Sequence, residues 1–228
     1  MPNISLVTLA GIPGVDQAAM AQNNANACGA YALVGAVGAF GVFPKIATLA
    51  YANAGPQAVN HQTVTALEDN YHALSASVYA VTGILNNNLG AIPVNPELLI
   101  AGNVYNSPAA MAQVAIDLGR SVPKINAQAA GFANLNALYP NERARCNAVI
   151  GAEDVDVNAG AYASPSADQT NIVCVQTNNG GLHWVAQGSD KMFYDPADGS
   201  INNNWEPVNT GDAMGHDYTF AGLWIIIA

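Results

Sequence analysis

Basic residues are scarce in this sequence. Six Lys and Arg stand against sixteen Asp and Glu, a formal net charge of −10. That leaves no basic surface to neutralise phosphates, which excludes nucleic acid and anionic membrane surfaces as expected partners. Charge of either sign is thin, at 10% of residues, and the acidic excess reads as a solvated face that keeps such a chain soluble. Cysteine is sparse too. Cys28, Cys146 and Cys174 are widely spaced and form no CxxC pair, which excludes a disulfide framework and a zinc site of ordinary spacing. No metal and no cofactor are expected. Long apolar runs are also missing. The uncharged stretch from Ala27 to Phe43 comes nearest, but it is built on Ala and Gly and stops at Phe43-Pro44. It falls short of the ~20 residues a span needs. It predicts a helix buried on all sides, with no stable membrane insertion. The opening MPNISLVTLAGIPGVDQ has neither a basic n-region nor an apolar core of signal length. The expected location is therefore cytoplasmic, or outside the cell by export without a cleaved signal peptide.

What is present suffices for one substantial core: 228 residues, 51% of them hydrophobic, predict a single domain over 1–228. Its two parts differ in texture, mainly helical over 1–125 and mainly β over 126–228. Lys45 to Ala54 reads as a short helix closed by Gly55-Pro56. Thr63 to Leu85 carries apolar residues at helical spacing (Val64, Leu67, Tyr71, Leu74, Val78, Val81) before the loop Asn86–Gly90. Ser107-Pro108 starts a helix running to about Leu118-Gly119, since the hydroxyl can cap free amides and proline suits the first helical position. Val122 to Ile125 reads as an extended piece confined by Pro123 to a sheet edge, and Ala127 to Leu138 as a short helix. From Asn171 the pattern turns to short strands: Asn171–Gln176, Leu182–Gln187, Lys191–Tyr194 and Tyr218–Ile227, an antiparallel meander whose apolar last strand must be central or covered.

The chemistry concentrates in two windows. Cys28 opens the uncharged helix, where free amides and the positive end of the dipole stabilise a thiolate, and the polar run Gln22–Asn26 before it supplies a loop and a cap. Gln22, six residues ahead, is the candidate oxyanion donor together with the Cys28 backbone N–H. His183, at the start of its strand after Gly180-Gly181, is the candidate base. Asp195 ends the next strand, ahead of the turn Pro196–Gly199, and a hairpin closed at Gly188–Asp190 brings the two side by side, so Asp195 can orient the imidazole. Cys174, flanked by Val173 and Val175, reads as core. Cys146 also reads as structural, although Arg143 and Arg145 beside it would favour a thiolate. His61, His72 and His216 have no partner in the sequence pattern, and Trp184 reads as a core aromatic.

The set Gln22…Cys28-Gly29-Ala30-Tyr31, then His183-Trp184-Val185-Ala186 and Asp195-Pro196-Ala197-Asp198-Gly199, resembles the papain-like cysteine peptidase superfamily. It is most similar to the bacterial branch that holds bacteriocin-processing peptidases and several virulence effectors. The matching windows are residues 22–34 and 182–199. The resemblance implies an α+β fold in which an N-terminal helical lobe, with the Cys on its central helix, faces a C-terminal antiparallel β-sheet lobe carrying His and Asp. It also implies a protein or peptide substrate and a thioester on Cys28. Two departures stand out: Gly29 follows the cysteine where papain proper has Trp, and Asp195 replaces an Asn followed shortly by Trp. Asn204-Trp205 makes Asn204 a reserve orienting residue. Peptide hydrolysis is the expected reaction. Glutamine deamidation or transglutaminase-like acyl transfer uses the same three residues, and a non-catalytic binding or membrane-associating protein is the alternative of another class.

Overall fold

The computed structural model describes residues 1–9, 15–41, 47–50, 61–64, 70–83, 106–138, 142–202 and 218–228. Two single-turn helices, α1 (Leu6–Leu9) and α2 (Gln17–Met20), precede α3 (Cys28–Gly38), every residue of which is buried. An uncharged helix rich in Ala, Gly and Val can satisfy itself only in this way, and burying Leu33, Val34 and Val37 contributes about 1.5–3 kcal/mol each. Gly35 lets the neighbouring Tyr194 ring lie directly on the helix, where a Cβ would come within 2.6 Å of it.

Ala47–Ala50 is a strand, β1, paired antiparallel with β2 (His61–Val64), Ala47 opposite Val64. The helix expected over Lys45–Ala54 is therefore absent where the chain is described, because cross-strand bonding outweighs the weak preference of an Ala-Thr-Leu-Ala run. The long helix expected from Thr63 shortens to α4 (Tyr71–Thr82), since Asn70 caps it: the side-chain oxygen of Asn70 accepts the Ala73 N–H at 2.8 Å. Gly55-Pro56 and the loop Asn86–Gly90 lie outside the described residues. Helix α5 (Pro108–Asp117) begins as its sequence requires, with the Ser107 hydroxyl accepting from the Ala110 amide at 3.2 Å.

Strand β3 (Lys124–Ala127) leads into α6 (Ala129–Leu138) and α7 (Glu142–Ile150), then β4 (Val155–Asp156), β5 (Thr170–Gln176), β6 (Leu182–Gln187), β7 (Phe193–Asp195), β8 (Ser200–Asn202) and β9 (Thr219–Ile227). The fold class is α+β. Its main sheet has seven strands in the order β4-β3-β9-β5-β6-β7-β8, and it corrects two expectations. The sheet is mixed, because β4 pairs parallel with β3. β3 is no edge strand, since it lies between β4 and β9; Pro123 precedes its first residue and so owes the ladder no N–H. The last strand is interior as its apolarity demands, but it inserts between β3 and β5 rather than extending the meander. One face of the sheet meets α3 through Ile172, Cys174, Trp184, Ala186, Tyr194 and Ile225. Val173, Val175, Val185, Phe193, Tyr218 and Trp224 form a second apolar cluster.

Candidate active site

Cys28 is the first residue of α3 and is 2% exposed. Its N-cap is Ala27, which offers no side-chain oxygen, so the cap expected from the Asn-rich run does not form. Nothing from the cap side chain then occupies the amides of the first turn, which is what an anion site at a helix start requires. The loop ahead of Cys28 is braced from several directions. Asn106, fully buried, donates from Nδ2 to the Asn26 carbonyl at 2.8 Å and accepts from the Thr82 hydroxyl at 2.6 Å. The Tyr31 hydroxyl donates to Asn23 Oδ1 at 3.1 Å and lies 2.6 Å from His72 Nδ1. His72 thus has a partner that the sequence did not reveal. Gly29 has a steric reason: a Cβ there would lie 2.6 Å from Asn106 Cβ and 2.9 Å from Met111 Sδ. Any Cβ after the cysteine would force one of these neighbours to move.

His183 and Asp195 meet across the β6–β7 hairpin. The ladder pairs Ala186 with Tyr194 and Gln187 with Phe193, which sets Asp195 opposite Val185 and diagonal to His183 on the same face of the sheet. His183 Nε2 and Asp195 Oδ1 are 2.7 Å apart, and both side chains are buried. The imidazole is near enough to Cys28 for the charge of that residue to act on it; with Nε2 committed to the carboxylate, Nδ1 is the ring nitrogen left for a sulfur. Burial pushes the imidazole pKa down. The charge on Cys28, together with the hydrogen bond to Asp195 and the Asp195 charge, outweighs burial and raises it to about 10. Asp195 is itself fixed by the turn that follows it: Oδ1 accepts the Ala197 N–H at 2.7 Å, and its carbonyl accepts the Gly199 N–H at 2.9 Å, with Gly199 at φ 74°. Sequence reasoning missed Tyr218, whose ring centroid lies 5.3 Å from that of His183 and whose hydroxyl is pushed up by burial first and then by the Asp195 charge. Only its place at the head of the last apolar strand hinted at it.

Gln22 sits in the loop before Cys28. Its backbone N–H donates to the Pro196 carbonyl at 2.7 Å, and its side-chain amide donates to the Ala25 carbonyl at 3.2 Å. Asn204, its neighbour Trp205 and His216 lie outside the described residues, and the side chain of His61 is not described. Cys146 and Cys174 are buried thiols pushed up chiefly by that burial, Cys146 well above its ordinary range; Arg145 pulls the other way without prevailing. Burial of this kind disfavours the thiolate that reaction at Cys146 would need. Trp184 is 3% exposed within the main core. Among the described residues no helix is long and apolar enough to cross a membrane.

The family model of invasion plasmid antigen J, cysteine protease, matches residues 20–228. The chain belongs to that family. It is a bacterial effector cysteine protease family of the papain-like class, so the resemblance read from Cys28, His183 and Asp195 with their flanking residues extends over nearly the whole chain. The family supports cysteine protease activity and a protein substrate for this chain. No curated protein and no solved structure matches it.

Proposed function

We propose that this member of the invasion plasmid antigen J family hydrolyses a peptide bond through Cys28, His183 and Asp195. What carries the reading is the buried contact of His183 Nε2 with Asp195 Oδ1 at 2.7 Å, beside a Cys28 whose charge acts on the same imidazole. His183 takes the Cys28 proton on Nδ1, and the thiolate attacks the scissile carbonyl carbon. The oxyanion is held by the Cys28 backbone N–H and the side-chain amide of Gln22, which carries a second N–H beyond the one given to Ala25. When the C–N bond breaks, His183 returns its proton to the leaving amine and a thioester remains on Cys28. Water then gives a proton to His183 and its oxygen to the acyl carbon, releasing the acid and restoring the thiol. Asp195 holds the ring in orientation throughout.

In this reading the whole chain acts as one papain-like domain, with the mainly helical part presenting Cys28 and the mainly β part presenting His183 and Asp195 across a cleft. The contact of α3 with β5, β6 and β7 supports a shared core between the two parts. Candidate protein substrates incubated with the wild type and with Cys28→Ala, then weighed intact and after digestion, test the reaction. Backbone cleavage by the wild type alone is expected. Conversion of Gln to Glu without cleavage would replace peptidase by deamidase, and equal activity of Cys28→Ala would end the reading.

A further inference from the structure

On the reading of Cys28 and Gln22 given above, we infer that His72 is a positioning residue for the oxyanion donors: through the Tyr31 hydroxyl it holds the short loop that carries Gln22. That loop, residues 22–26, is pinned at both ends. The Gln22 N–H donates to the Pro196 carbonyl at 2.7 Å, and the Asn26 carbonyl accepts from buried Asn106 at 2.8 Å. Between them the Gln22 side chain donates to the Ala25 carbonyl at 3.2 Å, so the place of its amide depends on how the chain runs from 23 to 25. Asn23 is exposed, and burial does not hold it. The Tyr31 hydroxyl does, by donating to Asn23 Oδ1 at 3.1 Å. Tyr31 lies one helical turn after Cys28 on α3 and is buried, and its carbonyl accepts the Tyr71 hydroxyl at 3.1 Å. The turn of helix that presents the sulfur therefore also steadies the loop ahead of it.

A phenol has a single hydrogen, and that of Tyr31 goes to Asn23. The phenol oxygen also lies 2.6 Å from His72 Nδ1, a hydrogen-bond distance, so the proton between them belongs to His72 and Nδ1 is the donor. A hydroxyl that accepts on one side turns its own hydrogen away from that side, here to Asn23, and becomes the stronger donor for it. His72 is well placed to impose this. It is the second residue of α4, whose start is fixed by the Asn70 cap, and its ring meets that of Tyr31 edge-on with centroids 5.8 Å apart. It takes no part in the proton transfers at Cys28.

Two reagents separate oxyanion support from thiolate reactivity. With p-nitrophenyl acetate the Cys28 thiolate adds to the carbonyl carbon, the carbonyl oxygen becomes an oxyanion, and p-nitrophenolate leaves as the thioester forms. Iodoacetamide alkylates the same sulfur with loss of iodide and forms no oxyanion. The ratio of the two rates, each corrected with Cys28→Ala, reads the oxyanion donors. It is expected to fall about three- to tenfold in His72→Leu, the worth of one net hydrogen bond, and to fall in Gln22→Ala as well. It should recover in His72→Asn, whose amide can donate where Nδ1 did. In wild-type protein carrying histidine labelled with heavy nitrogen, NMR should find His72 Nδ1 protonated, a result that does not depend on the leucine variant folding. A ratio kept in His72→Leu but lost in Gln22→Ala, no recovery in His72→Asn, or a bare Nδ1 would each overturn the role of His72 and leave that of Gln22 standing. A ratio unmoved by Gln22→Ala would instead sink the oxyanion reading beneath it, and this role with it.

Discussion

Replacing Gly29 by alanine sets two effects against each other, and their sizes decide the outcome. Gly29 is the second residue of α3 and is not among the residues with positive φ. Backbone preference alone would therefore favour alanine, by up to about 1 kcal/mol. Opposing it, the new methyl would stand 2.6 Å from Asn106 Cβ, 2.7 Å from Asn106 Cγ and 2.9 Å from Met111 Sδ. Met111 can swing its sulfur aside, but Asn106 is held by Thr82 at 2.6 Å and by the Asn26 carbonyl at 2.8 Å. Overpacking costs about 1–3 kcal/mol, and dislodging Asn106 adds about 1–3 more by leaving buried polar groups unpaired. The net loss is about 1 kcal/mol at the least and about 3 kcal/mol at mid-range. Urea unfolding measures it, with Gly160→Ala as the control, since nothing lies within 4 Å of a Cβ there. Because the shift is transmitted to the loop ahead of Cys28, alkylation of that thiol by iodoacetate should slow as well. A Gly29→Ala protein as stable as the wild type would refute the packing argument.

The raised pKa of His183, about 10 against an ordinary 6.5, means that its contribution to stability is whole below pH 6.5 and is lost as pH rises through about 10. Reaction at Cys28 should accordingly persist through neutral pH and decline towards pH 10, as pH–rate profiles will show. Asp195→Asn keeps an acceptor for the ring but removes a charge, so that decline should move down while staying above 6.5, because the influence of Cys28 remains; an unmoved limb would rule out electrostatic coupling to Asp195. Cys146 and Cys174, buried and pushed up, should react with iodoacetate at least tenfold more slowly than Cys28 in the folded protein and lose that protection in denaturant. Asn106→Ala should cost about 2–4 kcal/mol in urea unfolding, since it orphans the Thr82 hydroxyl and the Asn26 carbonyl; a loss under about half a kcal/mol would show that water replaces it freely.

The residues legible in the sequence were those whose setting is local. An uncharged run must be buried, so α3 was readable end-on from its composition, and with it the position of Cys28 at the helix start. The His183–Asp195 contact followed from one short hairpin, since twelve residues separate them. Features that depend on distant pairing were not readable. β1 became a strand because β2 lies beside it. Nothing in the periodicity of Glu142–Ile150 announces α7, whose Glu142 reaches back 33 residues to accept the Ala109 N–H at 2.8 Å. Tyr218 gains its neighbours only because β9 inserts beside β5, a connection that hydrophobic pattern cannot specify.

The bond from the Gln22 N–H to the Pro196 carbonyl, 2.7 Å long, ties the segment preceding the sulfur to the corner that follows the carboxylate. Both partners are main-chain atoms, so the tie itself does not depend on which side chains stand at the two positions. Adding or deleting a residue between 195 and 199 is another matter, since it would drag the two ends of the catalytic apparatus out of alignment at once. That corner is therefore fixed in length as well as at Asp195 and Gly199, where a Cβ would lie 2.2 Å from the Gln17 carbonyl oxygen, and anyone grafting loops onto this scaffold should leave its count alone.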